Sequence, residues 1–361
     1  MPEGVKVINR LKNLSGISDL IYSLIAIIIA LLIGAVLIFV SGYNVIDAYY
    51  NLFYGAFGNI YNLSQTLLKT TPLIFTGLAV AIGFKTGLFN IGGEGQLYWG
   101  ALATAIVALT FSNLNSFILI PLSLLAGALV GGIWGAIPGY LRAKTGAHEV
   151  ITTIMLNYIG ILATTFLLKN YFKEPGPVDQ TALIPEAARL TELIPYTRLT
   201  WAIFLGVFVI IIIDLLFKKT SLGYDLQAVG ENPAAAEYAG IRPEKMIVFS
   251  MIISGAVAGL AGSTMVMGVL HRFITNFSPG YGFTGIAVAV LGRNKPWGVL
   301  LAALLFGALE AGGMSMQLFA KIPMDLMTIV QGLVILFVAA PALIQILSEV
   351  FKKSRGGGYS E

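Results

Sequence analysis

Long uninterrupted apolar runs dominate the chain. Ile21–Val40 has twenty residues without a charge, enough for a helix to cross about 30 Å of hydrocarbon. Further runs follow at Thr71–Phe84, Gln96–Phe111, Ser116–Leu141, Glu149–Leu168, Thr200–Phe217, Met246–Leu270, Phe273–Gly292, Trp297–Gly313 and Leu326–Leu347. Because these runs are continuous rather than alternating, they favour helices over the strands of an outer-membrane barrel. The pattern predicts an all-α, polytopic membrane protein with about ten membrane segments.

Residues that disfavour helix occur inside one of these runs and just before another. Phe273–Gly292 contains Ser278, Pro279 and Gly280, so we expect a broken helix there rather than a straight span. Three glycines also precede the run at Gln96, within Asn90–Gln96. The predicted fold therefore includes broken or re-entrant helices, with the second helix beginning at Gln96.

Composition narrows the function classes. Hydrophobic residues make up 57% of the 361 positions and charged residues 11%, and the mean hydropathy is +0.84. A soluble enzyme or a disordered chain is excluded by these values. The chain lacks cysteine, and its two histidines are far apart in sequence, so we expect neither a metal site nor a cofactor. Phosphate-loop, zinc-hydrolase and serine-nucleophile motifs are absent, so we expect neither ATP hydrolysis by a phosphate loop of this chain nor an intramembrane hydrolase.

Basic residues set the predicted topology. With the N-terminus inside, fifteen of the 22 lysines and arginines fall on the cytoplasmic side and seven outside. We expect a cytoplasmic tail over residues 1–20, a transmembrane domain over 21–350 with a long cytoplasmic loop at 218–245, and a cytoplasmic tail over 351–361. Both termini would be cytoplasmic. The long external loop Tyr171–Leu199 is either a docking surface or a solvated connector.

Polar side chains in the Asn90–Gln96 break are the first candidates for function. Asn90, Glu94 and Gln96 stand between two apolar runs, where unwound backbone survives only if it is buried or lines a wet cavity. An ionisable group at that depth indicates a functional site, and broken helix ends bind solutes in transporters. A short cytoplasmic loop after Lys85 is the alternative interpretation. Asn157 is a weaker candidate on a neighbouring helix.

A short helix is predicted inside the cytoplasmic loop. Asn232 suits the N-cap, Pro233 the first helical position and Gly240 the position after the helix, with alanines between them. A helix of about two turns is not stable alone in water, so it must dock on this protein or on a partner. Glu310, inside an apolar run, is a pore-facing acid, a partner of a cation, or a group reaching external water.

Small residues predict close helix packing. Glycines recur every four positions along one predicted helix and again on a second, at Gly127, Gly131, Gly135, Gly139, Gly255 and Gly259. Such a strip lets two helix backbones approach closely. We interpret these glycines as packing residues.

Four separated segments resemble one transporter family. Phe89–Gln96 resembles the hallmark of permease subunits of bacterial ABC importers of the simple-sugar and nucleoside group. Glu149–Tyr158, Gly230–Ile241 and Leu291–Gly298 are similar to three further segments of that family, in the same order. The resemblance covers roughly residues 65–345, and the N-I-G-x-E-G-Q form is similar to the nucleoside-type branch.

The resemblance implies a function and a set of partners. The chain would be an inner-membrane, multi-pass permease subunit that works with an ATP-binding cassette subunit, a second permease subunit (a paralogue or the same chain) and an extracytoplasmic substrate-binding protein. It would contact membrane lipid and no nucleic acid. Nucleosides are the expected solutes and simple sugars the runner-up. From a different class, the alternative is a channel or secondary carrier that needs no ATPase.

The resemblance also assigns residues to two sites. The substrate path would comprise Phe89, Asn90, Glu94, Gln96, Asn157 and Glu310. The ATPase-coupling segment would comprise Glu231, Asn232, Pro233, Ala235, Ala236, Tyr238 and Gly240.

Overall fold

The computed structural model of the protein describes residues 27–339. Its α-helices are α1 (Ile27–Val40), α2 (Val45–Phe57), α3 (Ile60–Lys85), α4 (Gly93–Thr110), α5 (Ser116–Thr145), α6 (Glu149–Leu167), α7 (Ala202–Lys219), α8 (Ser221–Glu231), α9 (Pro233–Tyr238), α10 (Pro243–Met265), α11 (Tyr281–Leu291), α12 (Pro296–Ala320) and α13 (Met324–Ala339). A π-helical turn extends α6 (Leu168–Phe172) and another extends α10 (Val266–Leu270), and a short 3₁₀ helix spans Glu186–Ala188. The predicted tails, 1–20 and 351–361, lie outside the described residues.

The prediction of an all-α, polytopic membrane protein is confirmed. Among the described residues, five helices are long and apolar enough to cross a bilayer: α3, α5, α6 with its extension, α10 with its extension, and α12. Helices α4 and α7, of 18 residues each, overlap two further predicted spans. The start of the predicted span Ile21–Val40 and the end of Leu326–Leu347 lie outside the described residues.

The described chain forms two compact units, one of residues 27–55 and 312–339 and the other of Ala56–Ala311. In the first, Gly55 of α2 packs on Ser315 of α12, and the Tyr49 hydroxyl donates to the carbonyl of Leu31 in α1. The second unit contains every polar segment considered below. Its centre is the buried middle of α3, including Leu73, Ile74, Phe75 and Leu78.

The predicted glycine strip is confirmed as the seam between α5 and α10. A Cβ on Gly131 would lie 2.8 Å from the Cα of Gly259, and one on Gly255 would lie 2.4 Å from the carbonyl oxygen of Gly131. Real Cβ atoms do not approach backbone that closely, so these helices meet at this distance only because the residues are glycine.

Two helices next to the candidate site begin earlier than the sequence predicts. Helix α3 begins at Ile60 rather than Thr71, because its polar first turns are satisfied internally: Asn59 caps the helix, and the Thr66 hydroxyl donates to the Ala56 carbonyl at 2.8 Å. Helix α4 begins at Gly93 rather than Gln96, so Glu94 lies in its first turn and the break is confined to 86–92. Tertiary contacts override the weak helix propensity of Gly93 and Gly95.

The predicted interruption of Phe273–Gly292 is confirmed. Residues 271–280 are not helical, Gly280 has a φ of +99°, and α11 starts at Tyr281. Its 11 residues extend about 16 Å, roughly half of a bilayer's hydrocarbon thickness. Helix α11 is therefore a half-helix.

The long loop 171–199 packs against that interrupted segment. The backbone N–H groups of Thr181 and Ile184 donate to the carbonyls of Phe273 and His271, at 2.9 and 2.8 Å. The N–H of Leu190 donates to the carbonyl of Met267 at 3.0 Å. The loop is therefore packed on its own chain along this stretch, and whether it also serves as a docking surface stays a prediction.

Candidate functional site

The site is built on the re-entrant segment 86–92, which joins α3 to α4. Helix α3 ends in a Schellman motif: the N–H of Leu88 donates to the carbonyl of Gly83 at 2.9 Å and that of Gly87 to Phe84 at 3.1 Å. Gly87 takes the left-handed conformation this motif requires, with a φ of +71°. The chain then turns back into the protein, where Asn90, Ile91 and Gly92 are buried.

The start of α11 lies deep along α3. A Cβ on Gly285 would lie 2.7 Å from the side chain of Thr76, nine residues before the last residue of α3. Nine helical residues span about 14 Å, so the first turns of α11 contact α3 well before its last residue. Segment 86–92 also folds back on α3, because a Cβ on Gly83 would lie 3.4 Å from the Cβ of Asn90.

Asn90 and Gln96 form a closed amide network. The Asn90 Nδ2 donates to Gln96 Oε1 at 3.0 Å and to Ser254 Oγ of α10 at 2.7 Å. Its Oδ1 accepts from the backbone N–H of Gly92 at 2.9 Å and from Gln96 Nε2 at 3.3 Å. The Ser254 hydroxyl continues the network to the carbonyl of Ala79 in α3. Asn90 is fully buried, and its amide has its hydrogen-bond partners within the protein.

Asn157 of α6 clamps the same segment from the other side. Its Oδ1 accepts from the N–H of Gly95 at 2.7 Å, and its Nδ2 donates to the carbonyl of Ile91 at 2.8 Å. One side chain thus replaces two backbone partners that the broken helix lacks. A Cβ on Gly95 would lie 3.0 Å from the Cα of Asn157, which explains why a glycine stands there.

Glu94 joins the first turns of α4 and α11. Its Oε2 accepts from the backbone N–H of Gly282 at 2.6 Å, and the Ser278 hydroxyl also hydrogen-bonds its carboxyl group. The side chain is 3% exposed. A Cβ on Gly282 would lie 2.6 Å from the Cα of Glu94. Two helix N-termini, each carrying partial positive charge, therefore converge on one carboxyl group.

Phe89 and Glu310 are less enclosed. Phe89 is half-buried and packs on Phe84, with ring centroids 4.9 Å apart. Glu310 pairs with Lys69 of α3 at 3.3 Å, and both side chains are 17% exposed. Of the interpretations of Glu310, the partner of a cation is the one the structure supports.

The predicted cytoplasmic helix is α9. Asn232 Oδ1 accepts from the N–H of Ala235 at 3.1 Å, Pro233 opens the helix, and Gly240 follows it with a φ of +86°. Most of the segment is exposed, and Tyr238 is 96% exposed. Ala236 is the exception. A residue of the ATPase-coupling segment is expected at the surface, but Ala236 is buried at 3% exposure and anchors the helix to its own chain. Glu231 is the last residue of α8, a helix that the sequence does not predict within the cytoplasmic loop.

Sequence reasoning missed three residues that complete the site: Ser254, Ser278 and Gly282. Ser278 lies in the Ser-Pro-Gly interruption, and a serine just before a helix is a common capping residue. In the structure its Oγ accepts from the N–H of Tyr281 at 3.1 Å. Ser254 is one small residue in an apolar helix, and nothing in its local pattern marks it. Within residues 27–339, no group of three or more metal-ligating side chains is arranged to hold a metal ion.

Comparisons with known proteins agree with this architecture. Residues 62–339 match the family of the branched-chain amino acid transport system, permease component. A guanosine ABC transporter permease protein of Bacillus subtilis is 41% identical, over 93% of this chain and 98% of its own length. A nucleoside ABC transporter permease protein of Lactococcus lactis is 38% identical, over 90% and 92%.

More distant matches widen the range of solutes among the relatives. A glucose ABC transporter permease protein of Haloferax volcanii is 36% identical, over 92% of this chain and 88% of its own length. No solved structure matches the chain. The family match covers well over half of the chain, and the relatives are covered almost completely. The protein therefore belongs to the permease family of the branched-chain amino acid transport system and is a membrane-spanning transport component rather than an enzyme.

Proposed function

We propose that the chain is the transmembrane subunit of an ATP-driven importer that moves nucleosides across the inner membrane. The observation that carries this proposal is the identity of 41% and 38% to a guanosine and a nucleoside permease, each aligned over nine-tenths or more of the chain. Transport of this kind is non-covalent: no bond in the solute changes. A self-sufficient channel or carrier is disfavoured, because these relatives are ABC transporter permeases.

The proposed assembly has three kinds of partner. An ATP-binding cassette subunit docks on the surface around α9, where Glu231, Asn232, Pro233, Ala235, Tyr238 and Gly240 are exposed. A second permease subunit completes the pore, and an extracytoplasmic binding protein delivers the solute. Both termini are proposed to be cytoplasmic, in agreement with the twofold excess of basic residues on that side.

We assign the proposed substrate-path residues two kinds of role. Asn90, Gln96 and Asn157 are buried and hydrogen-bonded to one another or to backbone, so they hold the re-entrant segment in shape. Glu94 fixes the segment to α11. These four groups meet solute only when residues 86–92 move.

Phe89 and Glu310 are the proposed direct contacts along the path. Phe89 offers an aromatic face on which a nucleobase stacks, and its ring is only partly covered. The Glu310 carboxylate accepts hydrogen bonds from ribose hydroxyls while Lys69 balances its charge.

Simple sugars are the second candidate. The 36% identity to a glucose permease, over 88% of that protein, is close to the values for the nucleoside permeases. A sugar shares the ribose hydroxyls of a nucleoside but has no aromatic base. The contribution of Phe89 to recognition therefore separates the two candidates.

The test is uptake by the complete complex reconstituted in proteoliposomes. Labelled guanosine, adenosine, uridine, cytidine, glucose and leucine are offered separately, with ATP supplied to the cassette side. We expect ATP-dependent uptake of nucleosides only. Uptake of glucose or leucine in place of nucleosides would overturn the proposal.

Two controls make the assay specific. A complex whose cassette subunit lacks its phosphate-loop lysine should accumulate nothing, whereas uptake without ATP hydrolysis would support the carrier alternative. Phe89→Ala should reduce nucleoside uptake by about tenfold, which corresponds to roughly 1.4 kcal/mol of lost stacking. Phe89→Leu, which keeps apolar volume without a ring, should show a similar loss.

A further inference from the structure

The turn after α3 and the end of α8 are in direct backbone contact. A Cβ on Gly230 would lie 2.9 Å from the carbonyl carbon of Thr86 and 3.0 Å from the nitrogen of Gly87. Conversely, a Cβ on Gly87 would lie 3.1 Å from the carbonyl oxygen of Gly230. No side chain separates the two backbones, and close-packed backbone transmits displacement with little slack.

Hydrogen bonds hold the chain on both sides of this contact. Gly87 is held by the Schellman hydrogen bonds that end α3. On the other side, Gln227 Nε2 of α8 donates to the carbonyl of Phe217 in α7 at 3.0 Å. Lys85 Nζ lies 5.9 Å from the centre of the Phe217 ring, so α3, α7 and α8 end in one cluster.

Helices α8 and α9 share a single joint residue. The N–H of Asn232 donates to the carbonyl of Ala228 at 3.0 Å and closes α8, while its Oδ1 accepts from Ala235 and opens α9. Because one residue caps both helices, a displacement of α9 moves the end of α8, where Gly230 lies.

Beyond Gly87, the chain enters the site directly. Leu88 is buried, and Asn90, three residues after Gly87, carries the amide network to Gln96 and Ser254. A shift of Gly87 is therefore applied to the segment that holds Glu94 against α11.

We propose that the Gly87–Gly230 contact is the route by which displacement of α9 reaches the re-entrant segment, and that both glycines are positioning residues for transport. This inference rests on the proposed role of α9 as the ATPase contact. It adds the Gly87–Gly230 contact as a second element that transport requires. The sequence match to the family does not by itself require this contact.

Gly230→Ala tests the route, because helix propensity alone predicts the opposite effect. Alanine favours an α-helix over glycine by about 1 kcal/mol, so a loss of function must come from the contact itself, where the added Cβ would lie 2.4 Å from the carbonyl oxygen of Lys85. We expect the variant complex to hydrolyse ATP within about twofold of wild type while solute uptake per ATP falls about tenfold or more. An unchanged ratio, or uptake and hydrolysis falling in proportion, would overturn the route.

Matched glycine substitutions supply the controls. Gly332→Ala is a helical substitution with nothing within 4 Å, and it should leave the ratio unchanged. Gly87→Ala and Gly146→Ala both place alanine at positive φ (+71° and +69°), but only Gly87 has close neighbours. Gly87→Ala should lower the ratio and Gly146→Ala should not. If Gly230→Ala fails to assemble, this second pair decides, and equal behaviour of the two variants would contradict the proposal.

A solute-independent readout separates this inference from the proposed function. The natural chain has no cysteine, so Phe283→Cys gives a single thiol at an exposed position of α11. In the complex, ATP should change the rate of maleimide labelling at this thiol, and Gly230→Ala should abolish the change. If ATP still alters labelling in Gly230→Ala as in wild type, the route is wrong even where nucleoside uptake is found. If the route holds while nucleosides are not taken up, only the solute assignment fails.

Discussion

Glycine brings helix backbones together in two regions of the second unit, the α5–α10 seam and the α4–α11 joint, with different consequences. In the seam, glycines repeat along both helices, and the contact is backbone on backbone over several turns. In the joint, Gly93 and Gly282 meet at the ends of two helices, and a buried carboxyl group ties them. The seam is continuous packing, whereas the joint is one hinge-like contact that depends on a polar side chain.

The difference explains which region suits movement. A glycine seam buried along its length has no alternative packing close in energy, because small shifts create clashes or voids. A joint between two helix ends can move when only a few hydrogen bonds exchange their partners. We therefore expect substitutions in the seam to affect folding and substitutions in the joint to affect transport.

The largest effect should come from Gly259→Leu in the seam. A Cβ there would already lie 3.2 Å from the Cα of Gly131, so the helices must separate. Overpacking of this kind commonly costs about 1–3 kcal/mol, and clashes with backbone exceed that range. We expect loss of folded protein, measured as the monodisperse fraction in detergent. Gly332→Leu, with nothing within 4 Å of the glycine, should express normally, and equal loss in both would contradict the seam's role.

A smaller loss of stability should follow from changes at the joint. Glu94→Ala leaves the N–H of Gly282 without its acceptor in a buried site, which costs about 1–3 kcal/mol. Glu94→Gln keeps a carbonyl oxygen for that N–H, so its thermal midpoint should lie between wild type and alanine. The measurement is thermal unfolding of the purified complex. Equal midpoints for all three proteins would show that the hydrogen bonds of the joint do not stabilise the fold.

Neighbouring alanines in α9 test whether a surface contact can be separated from folding. Ala236 is buried, so Ala236→Arg should destabilise the protein, by a few kcal/mol if the charge stays buried. Ala235 is exposed, so Ala235→Arg should leave the thermal midpoint unchanged while uptake driven by ATP falls. Normal uptake with Ala235→Arg would mean that α9 is only a connector.

The smallest effect should come from the exposed ion pairs of the 171–199 loop. Lys173 and Lys169, at 2.7 and 3.0 Å, hold the pKa of Asp179 below its ordinary value of 3.8. A lowered pKa in the folded state contributes stability above that value, and the contribution is lost as the pH falls below it. Asp179→Asn should slightly speed hydrogen exchange of the loop at neutral pH, and the difference from wild type should shrink steadily as the pH is lowered below 3.8. A difference that does not shrink with falling pH would point to another cause.

The sequence predicted the membrane class, the interrupted segments and the short cytoplasmic helix, because each depends on local signals. Asn232, Pro233 and Gly240 are capping residues whose meaning does not depend on distant contacts. The start of α4 could not be predicted in the same way. Gly93 and Gly95 disfavour helix locally, and only contacts with Gly282 and Asn157 make them helical.

The hydrogen-bond partners of the candidate residues could not be predicted from the sequence either. Asn90 meets Ser254, which is 164 positions away, and Glu94 meets Gly282, which is 188 positions away. No periodicity in one segment specifies such a pairing. The same limit applies to Glu310, because its cation partner, Lys69, is distant in sequence.

The central claim is that transport depends on the carboxyl group that joins α4 to α11. The most direct test is the initial rate of ATP-dependent guanosine uptake by proteoliposomes that contain equal amounts of wild-type, Glu94→Gln or Glu94→Ala complex. We predict a reduction of about tenfold or more for Glu94→Ala and a smaller but clear reduction for Glu94→Gln, with assembled complex in each case. Uptake at the wild-type rate by both variants would contradict the claim.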